Sequence, residues 1–148
     1  MRLIRLTILA TATLLLAVSC DKQTPIDEQP QSEIAVTYYS IEGCWQLRLL
    51  DGAELHEGTL LYVRFSRSEP RFELWENIGS MYTRKTTGTY TITKEEDDSY
   101  WLGGSYDSGM GDWNEEYRVE MPSNEEMVWW ATNCLEFKRV ESIPEFNQ

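Results

Sequence analysis

Residues 41–50 read IEGCWQLRLL, and they end a polar, proline-containing stretch with a Gly, a Cys and a Trp in consecutive positions. From Trp45 onward apolar residues occur at every second place, which is the period of a strand with one buried face. Trp45, Leu47 and Leu49 then share one face, and Cys44, Gln46 and Arg48 the other. The closing run CLEFKR repeats the pattern, with Leu135, Phe137 and Arg139 on one side and Cys134, Glu136 and Lys138 on the other. In both runs the apolar face is the inner one.

Between these runs the chain is a series of short segments rich in Tyr, Trp, Val and Thr, separated by turn residues, and no amphipathic helix competes with them. Strands are expected near 43–50, 59–66, 71–77, 82–93, 99–106, 113–121, 126–131 and 134–140, eight in all. Asp51-Gly52, Ser68-Glu69-Pro70, Asn77-Ile78-Gly79, the acidic run 95–98, residues 108–111 and Pro122-Ser123-Asn124 mark the reversals. The five prolines fall in the leading stretch, in two hairpins and after the last strand, where no ladder needs their missing N–H. The expected fold is all-β: an eight-stranded, antiparallel, up-and-down barrel.

If the last strand closes on the first, Cys44 and Cys134 lie on the outer face of neighbouring strands, and a disulfide between them is expected. It would close a loop of about 90 residues and contribute about 4 to 5 kcal/mol on the chain-entropy account. Closure also brings Arg139 to the end at which Trp45 begins, where a guanidinium can stack on the indole.

Gly43-x-Trp45 at the start of the first strand, with Arg139 near the end of the last, resembles the calycin signature shared by lipocalins and fatty-acid-binding proteins. GCWQL, LYVRF, RFELWE, TGTY, LGGSY and FKRVESIP follow in the order shown by a lipocalin-like family of small bacterial lipoproteins, and the resemblance spans about residues 41–144. It implies a fold and a cellular address more than an activity.

The amino terminus supports that address. MRLIRLTILATATLLLAVSC has two Arg ahead of an apolar run and small residues leading to Cys20, the layout of a secretory signal. AVSC resembles the lipobox of bacterial lipoproteins, with Ala17 where Leu is usual, so cleavage before Cys20 and its acylation are expected. The expected organisation is a signal peptide over 1–19, an acylated Cys20 with a flexible tether over 20–40, and one domain over 41–144. A cell-envelope lipoprotein is implied, with the outer membrane favoured and the leaflet left open. Removing residues 1–19 takes away two of 13 Lys and Arg and none of 25 Asp and Glu, leaving a formal charge of −14. Such a chain has no electrostatic attraction for nucleic acid, and its contact with a membrane is expected through the lipid alone. A monomer is expected.

Catalytic residue sets are scarce. His56 is the single histidine, in a charged hairpin, and no phosphate-binding loop or C-x-x-C occurs. The run DSGMGDWNEE, 107–116, lacks the spacing of a calcium loop. No cofactor, metal or catalytic residue is expected.

The remaining signal is aromatic: six Trp and eight Tyr in one short chain. In a meander whose first strand starts at the closed end, residues 51–58, 77–81, 107–112 and 132–133 form the mouth. Inward parity then places Leu49, Leu61, Leu74, Tyr106, Trp113, Tyr117 and Trp129 near the upper cavity, although parity alone does not choose Trp129 over Trp130. Tyr82 and Arg84 join them, Arg84 either as partner of a ligand carboxylate or in an ion pair with a nearby acid. The expected function is binding of a small hydrophobic or amphipathic ligand without catalysis. The alternative is an interaction module whose filled barrel presents loops to another envelope protein.

Overall fold

The computed structural model describes residues 34–107 and 109–146. The signal peptide, Cys20 and most of the expected tether lie outside the described residues.

Nine strands follow in chain order: β1 (Gly43–Leu50), β2 (Ala53–Glu54), β3 (Leu61–Ser66), β4 (Arg71–Glu76), β5 (Arg84–Lys94), β6 (Tyr100–Tyr106), β7 (Tyr117–Ser123), β8 (Glu126–Trp130) and β9 (Cys134–Val140). The two-residue β2 folds back on the end of β1. The other eight pair antiparallel with their sequence neighbours, and β1 pairs with β9, so the sheet closes into the expected up-and-down barrel. Closure leaves no long strand edge unpaired, and the inner face becomes a single core.

The bottom of the barrel is built on Arg139. Arg139 and Trp45 are direct cross-strand partners, and the guanidinium carbon lies 4.1 Å from the centre of the indole ring. Its Nη1 donates to the carbonyl of Glu42 at 2.6 Å, Nη2 to that of Ser40 at 2.8 Å, and Nε to that of Asn124 at 2.6 Å. One side chain thus ties the strap before β1 to the β7–β8 turn. Trp45 is fully buried and donates its ring N–H to Ile41 O at 2.8 Å. Gly43 is required beside them: its φ is +119°, and an added Cβ would stand 2.7 Å from Arg139 Nη1.

The folded part begins earlier than the sequence suggested. Residues 34–42 cross the bottom, with Val36 and Ile41 buried and Ile34 and Tyr38 packed on the core. Ile34 N donates to Met121 O at 3.0 Å, and Tyr38 OH accepts from Ile92 N at 3.2 Å. At the other terminus Phe146 packs against Tyr62 and Trp75 on the outer wall, at centroid separations of 6.0 and 5.6 Å.

Three expectations are corrected. The Cys44–Cys134 disulfide does not form: Cys44 is a free, buried thiol. Parity puts both residues outside, but β1 and β9 are antiparallel and each cysteine starts its own strand. Cys44 pairs with Val140, six residues from Cys134, a separation of about 20 Å where a bridge needs Cα atoms within about 7 Å. Leu49 does not face inward, because a bulge after Leu47 sets it opposite Glu136 on the outer side. Pro122 lies inside β7 rather than in a turn, at a register shift between Glu120 and Ser123 where the ladder is interrupted.

Two outcomes are expected in urea unfolding. Trp45→Ala should lose about 3 to 5 kcal/mol through the cavity it leaves, and Gly43→Ala roughly 1 to 3 kcal/mol through backbone strain and the contact with Arg139. Tyr90, buried against Phe65 and Tyr38, has its phenol pushed up to about 12, chiefly by burial. An unfolded tyrosine ionises near 10, so stability at Tyr90 holds below about pH 10 and falls as pH rises toward 12. Unfolding followed over that window should show the fall, and Tyr90→Phe should reduce it.

Candidate functional site

The strand directions place the connections 51–60, 77–83, 107–116 and 131–133 at the end opposite Arg139, as the meander requires. Beneath them the inward residues of β3, β4, β7, β8 and β9 meet as rings. Trp129 is 4% exposed, and its ring centre lies 4.6 Å from Phe137, 5.1 Å from Tyr117, and 6.0 Å from both Trp113 and Phe65. Trp113 packs edge-on against Phe72 at 5.1 Å, and Phe72 against Tyr106 at 6.1 Å. These contacts fill the upper interior, and Phe65 continues them to Tyr90 below.

Trp113 reaches this cluster from a connection and not from a strand. The sequence suggested a strand over 113–121, but β7 begins only at Tyr117. Trp113 N instead donates to Gly104 O at 2.8 Å, and the neighbouring Asp112 bridges to Ser105. The indole lies directly on Gly104, where an added Cβ would meet its ring at 2.5 Å. Gly109 and Gly111, both at positive φ, shape the same connection. The Gly103-Gly104 pair within a strand was the signal for this close approach.

One polar atom in the cluster has no partner. The ring N–H of Trp129 is buried and donates to no acceptor among the described residues, and leaving such a group unpaired costs about 1 to 3 kcal/mol. At the rim, Glu115 Oε2 accepts from Thr132 Oγ1 at 2.9 Å. Burial first, and then the Glu115 carboxylate, raise the pKa of the Tyr117 phenol.

Of the residues read as cavity-lining, Leu61, Leu74, Tyr106, Trp113, Tyr117 and Trp129 belong to or pack on the core, and Trp129 rather than Trp130 is the inward one. Tyr82 does not join them. It lies in the β4–β5 connection, 78% exposed. Arg84 stands at the mouth and donates to Glu76 Oε1 at 2.5 Å, so the ion-pair reading holds. The sequence reading missed Phe72 and Phe137 as ring partners, and Leu55, which packs on the core from the connection after β2. No group of His, Cys, Asp and Glu suited to a metal occurs among the described residues, and His56 is exposed.

The fold is similar to the crystal structure of a lipocalin-like protein from Bacteroides uniformis, with a TM-score of 0.49 and 14% sequence identity, covering 68% of this chain and 99% of that one. No protein-family model matches the chain, and no curated protein does. The closed barrel stands on its own strand pairings.

Replacing Gly104 by Val should expel the Trp113 indole while leaving the barrel folded. Tryptophan emission should shift to the red and near-ultraviolet circular dichroism should weaken, with the far-ultraviolet spectrum unchanged.

Proposed function

We propose that this chain binds a small, partly apolar ligand in the upper barrel, without catalysis. The observation that carries the reading is the Trp129 ring N–H, buried among aromatic rings beneath the mouth without an acceptor among the described residues. Apolar walls with a few convergent polar groups are the usual form of a small-molecule site, and an acceptor on the ligand would satisfy the N–H. Trp113 occupies the entrance from a connection that glycines shape, so ligand entry requires its indole to swing away from Gly104.

We further propose that the protein is held at the cell envelope, with the outer membrane favoured, through acylation of Cys20 after cleavage of residues 1–19. The signal-like amino terminus supports this. Wild type should partition into the detergent phase and carry acyl mass, and Cys20→Ala should be soluble. Wild type that stays aqueous would contradict the anchor.

A second reading has its own support. Met81, Tyr82 and Met110 are exposed by 92, 78 and 65%, with Ile78 at 39%, and all four lie on mouth connections. Exposed apolar groups gathered at one end mark an interaction surface, in this case toward another envelope protein.

Titration with fatty acids, retinoids, bile acids and tetrapyrroles should yield at least one saturable quench of tryptophan fluorescence. Tyr117→Ala should weaken it roughly tenfold. If no ligand saturates, the interaction surface replaces the upper barrel as the functional site.

A further inference from the structure

Resting on the binding reading above, we infer that the ligand carries a positive charge on its apolar body, held against the Tyr117 and Trp129 rings that the Trp113 indole covers, with Glu115 as counter-ion.

The mouth offers little to an anion. Arg84, the cation the sequence offered to a carboxylate, is already paired with Glu76, whose second oxygen accepts from Ile78 N at 2.8 Å. A ligand carboxylate would have to compete with Glu76 for a guanidinium whose charge is already matched. The four mouth connections contain seven acids, Asp51, Glu54, Glu57, Asp107, Asp112, Glu115 and Glu116, and no Lys or Arg. Asp107 is paired with Arg71 of the wall, and the charge of the other six concentrates cations at the mouth and repels anions.

The rings supply the other half of the recognition. Tyr117 and Trp129 lie 5.1 Å apart, and Trp113 stands 6.0 Å from each. With the Trp113 indole swung away, the Tyr117 and Trp129 rings it covers, with a carboxylate at the edge, attract an ammonium group, since ring faces carry negative potential and a charge held against them is poorly solvated by water. Glu115 has the position for that carboxylate: it is half-buried, tethered by Thr132 and adjacent to Tyr117. Displacement of the Trp113 indole from Gly104 opens the space the cation takes. The unpartnered Trp129 N–H, 4% exposed with its residue, shows that the ring cluster retains a polar demand its own side chains do not meet. An ester or ether oxygen next to the ammonium group would meet it.

The test compares two amphiphiles with the same chain, dodecyltrimethylammonium and dodecanoate, titrated below micelle formation against tryptophan fluorescence. The cation should bind roughly tenfold or more tighter than the anion, and should weaken as salt rises. Glu115→Gln should cost it about three- to tenfold, whereas Glu57→Gln, at an exposed mouth acid, should cost it about twofold at most. Equal binding of the two amphiphiles, or preference for the anion, overturns the charge assignment and leaves the binding reading standing. A cation preference reduced equally by both substitutions overturns the site, since it reports adsorption to the acidic surface. Absence of saturation with either amphiphile, together with none in the wider ligand panel, removes the binding reading as well.

Discussion

The stacking of Arg139 on Trp45 is the constraint on which the barrel depends. β1 and β9 are the first and last long strands, so nothing local in the chain brings them together, and the sheet could otherwise end in two open edges. The guanidinium joins them by occupying an indole face and three backbone carbonyls at once. Each carbonyl belongs to an irregular segment at the bottom, where backbone groups have no ladder to satisfy them. A single planar cation with five donors therefore replaces the hydrogen bonds that the bottom would otherwise take from water. Gly43 belongs to the same device, because only a residue without a side chain leaves room for the guanidinium.

Closure at the bottom fixes what the top can do. With β1 starting beside Arg139, strand direction alternates around the wall, and the long connections gather at the far end. Ring packing fills the space between, from Tyr90 through Phe65 to Trp129 and Trp113. The two ends differ in kind. Below, Trp45 and Arg139 find backbone acceptors; above, Trp129 retains an unpaired N–H and Trp113 enters from a connection.

Alternation made most of this architecture legible in the sequence. Runs such as LYVRF and RFELWE have a strict two-residue period, so their inner residues could be named, and the G-x-W and Arg pair located the closed end. The readings failed where the period is broken or where register is needed. The bulge in β1 inserts one residue without a sequence mark, which reversed Leu49. Parity says which face a cysteine occupies but not how far along an antiparallel partner it lies, and so Cys44 was matched with the wrong end of β9. Trp113 reads as a strand residue because it shares the parity of Tyr117 and Val119, while its true anchor is a glycine in the preceding strand.

A double-mutant cycle on Trp45 and Arg139, measured by equilibrium unfolding with Trp45→Ala, Arg139→Ala and the double variant, tests the central claim most directly. If the stacked pair holds the barrel closed, the two losses should fail to add, with a coupling of roughly 1 to 3 kcal/mol. Losses that add to within about 0.3 kcal/mol would show that the guanidinium and the indole act independently, and would contradict the account.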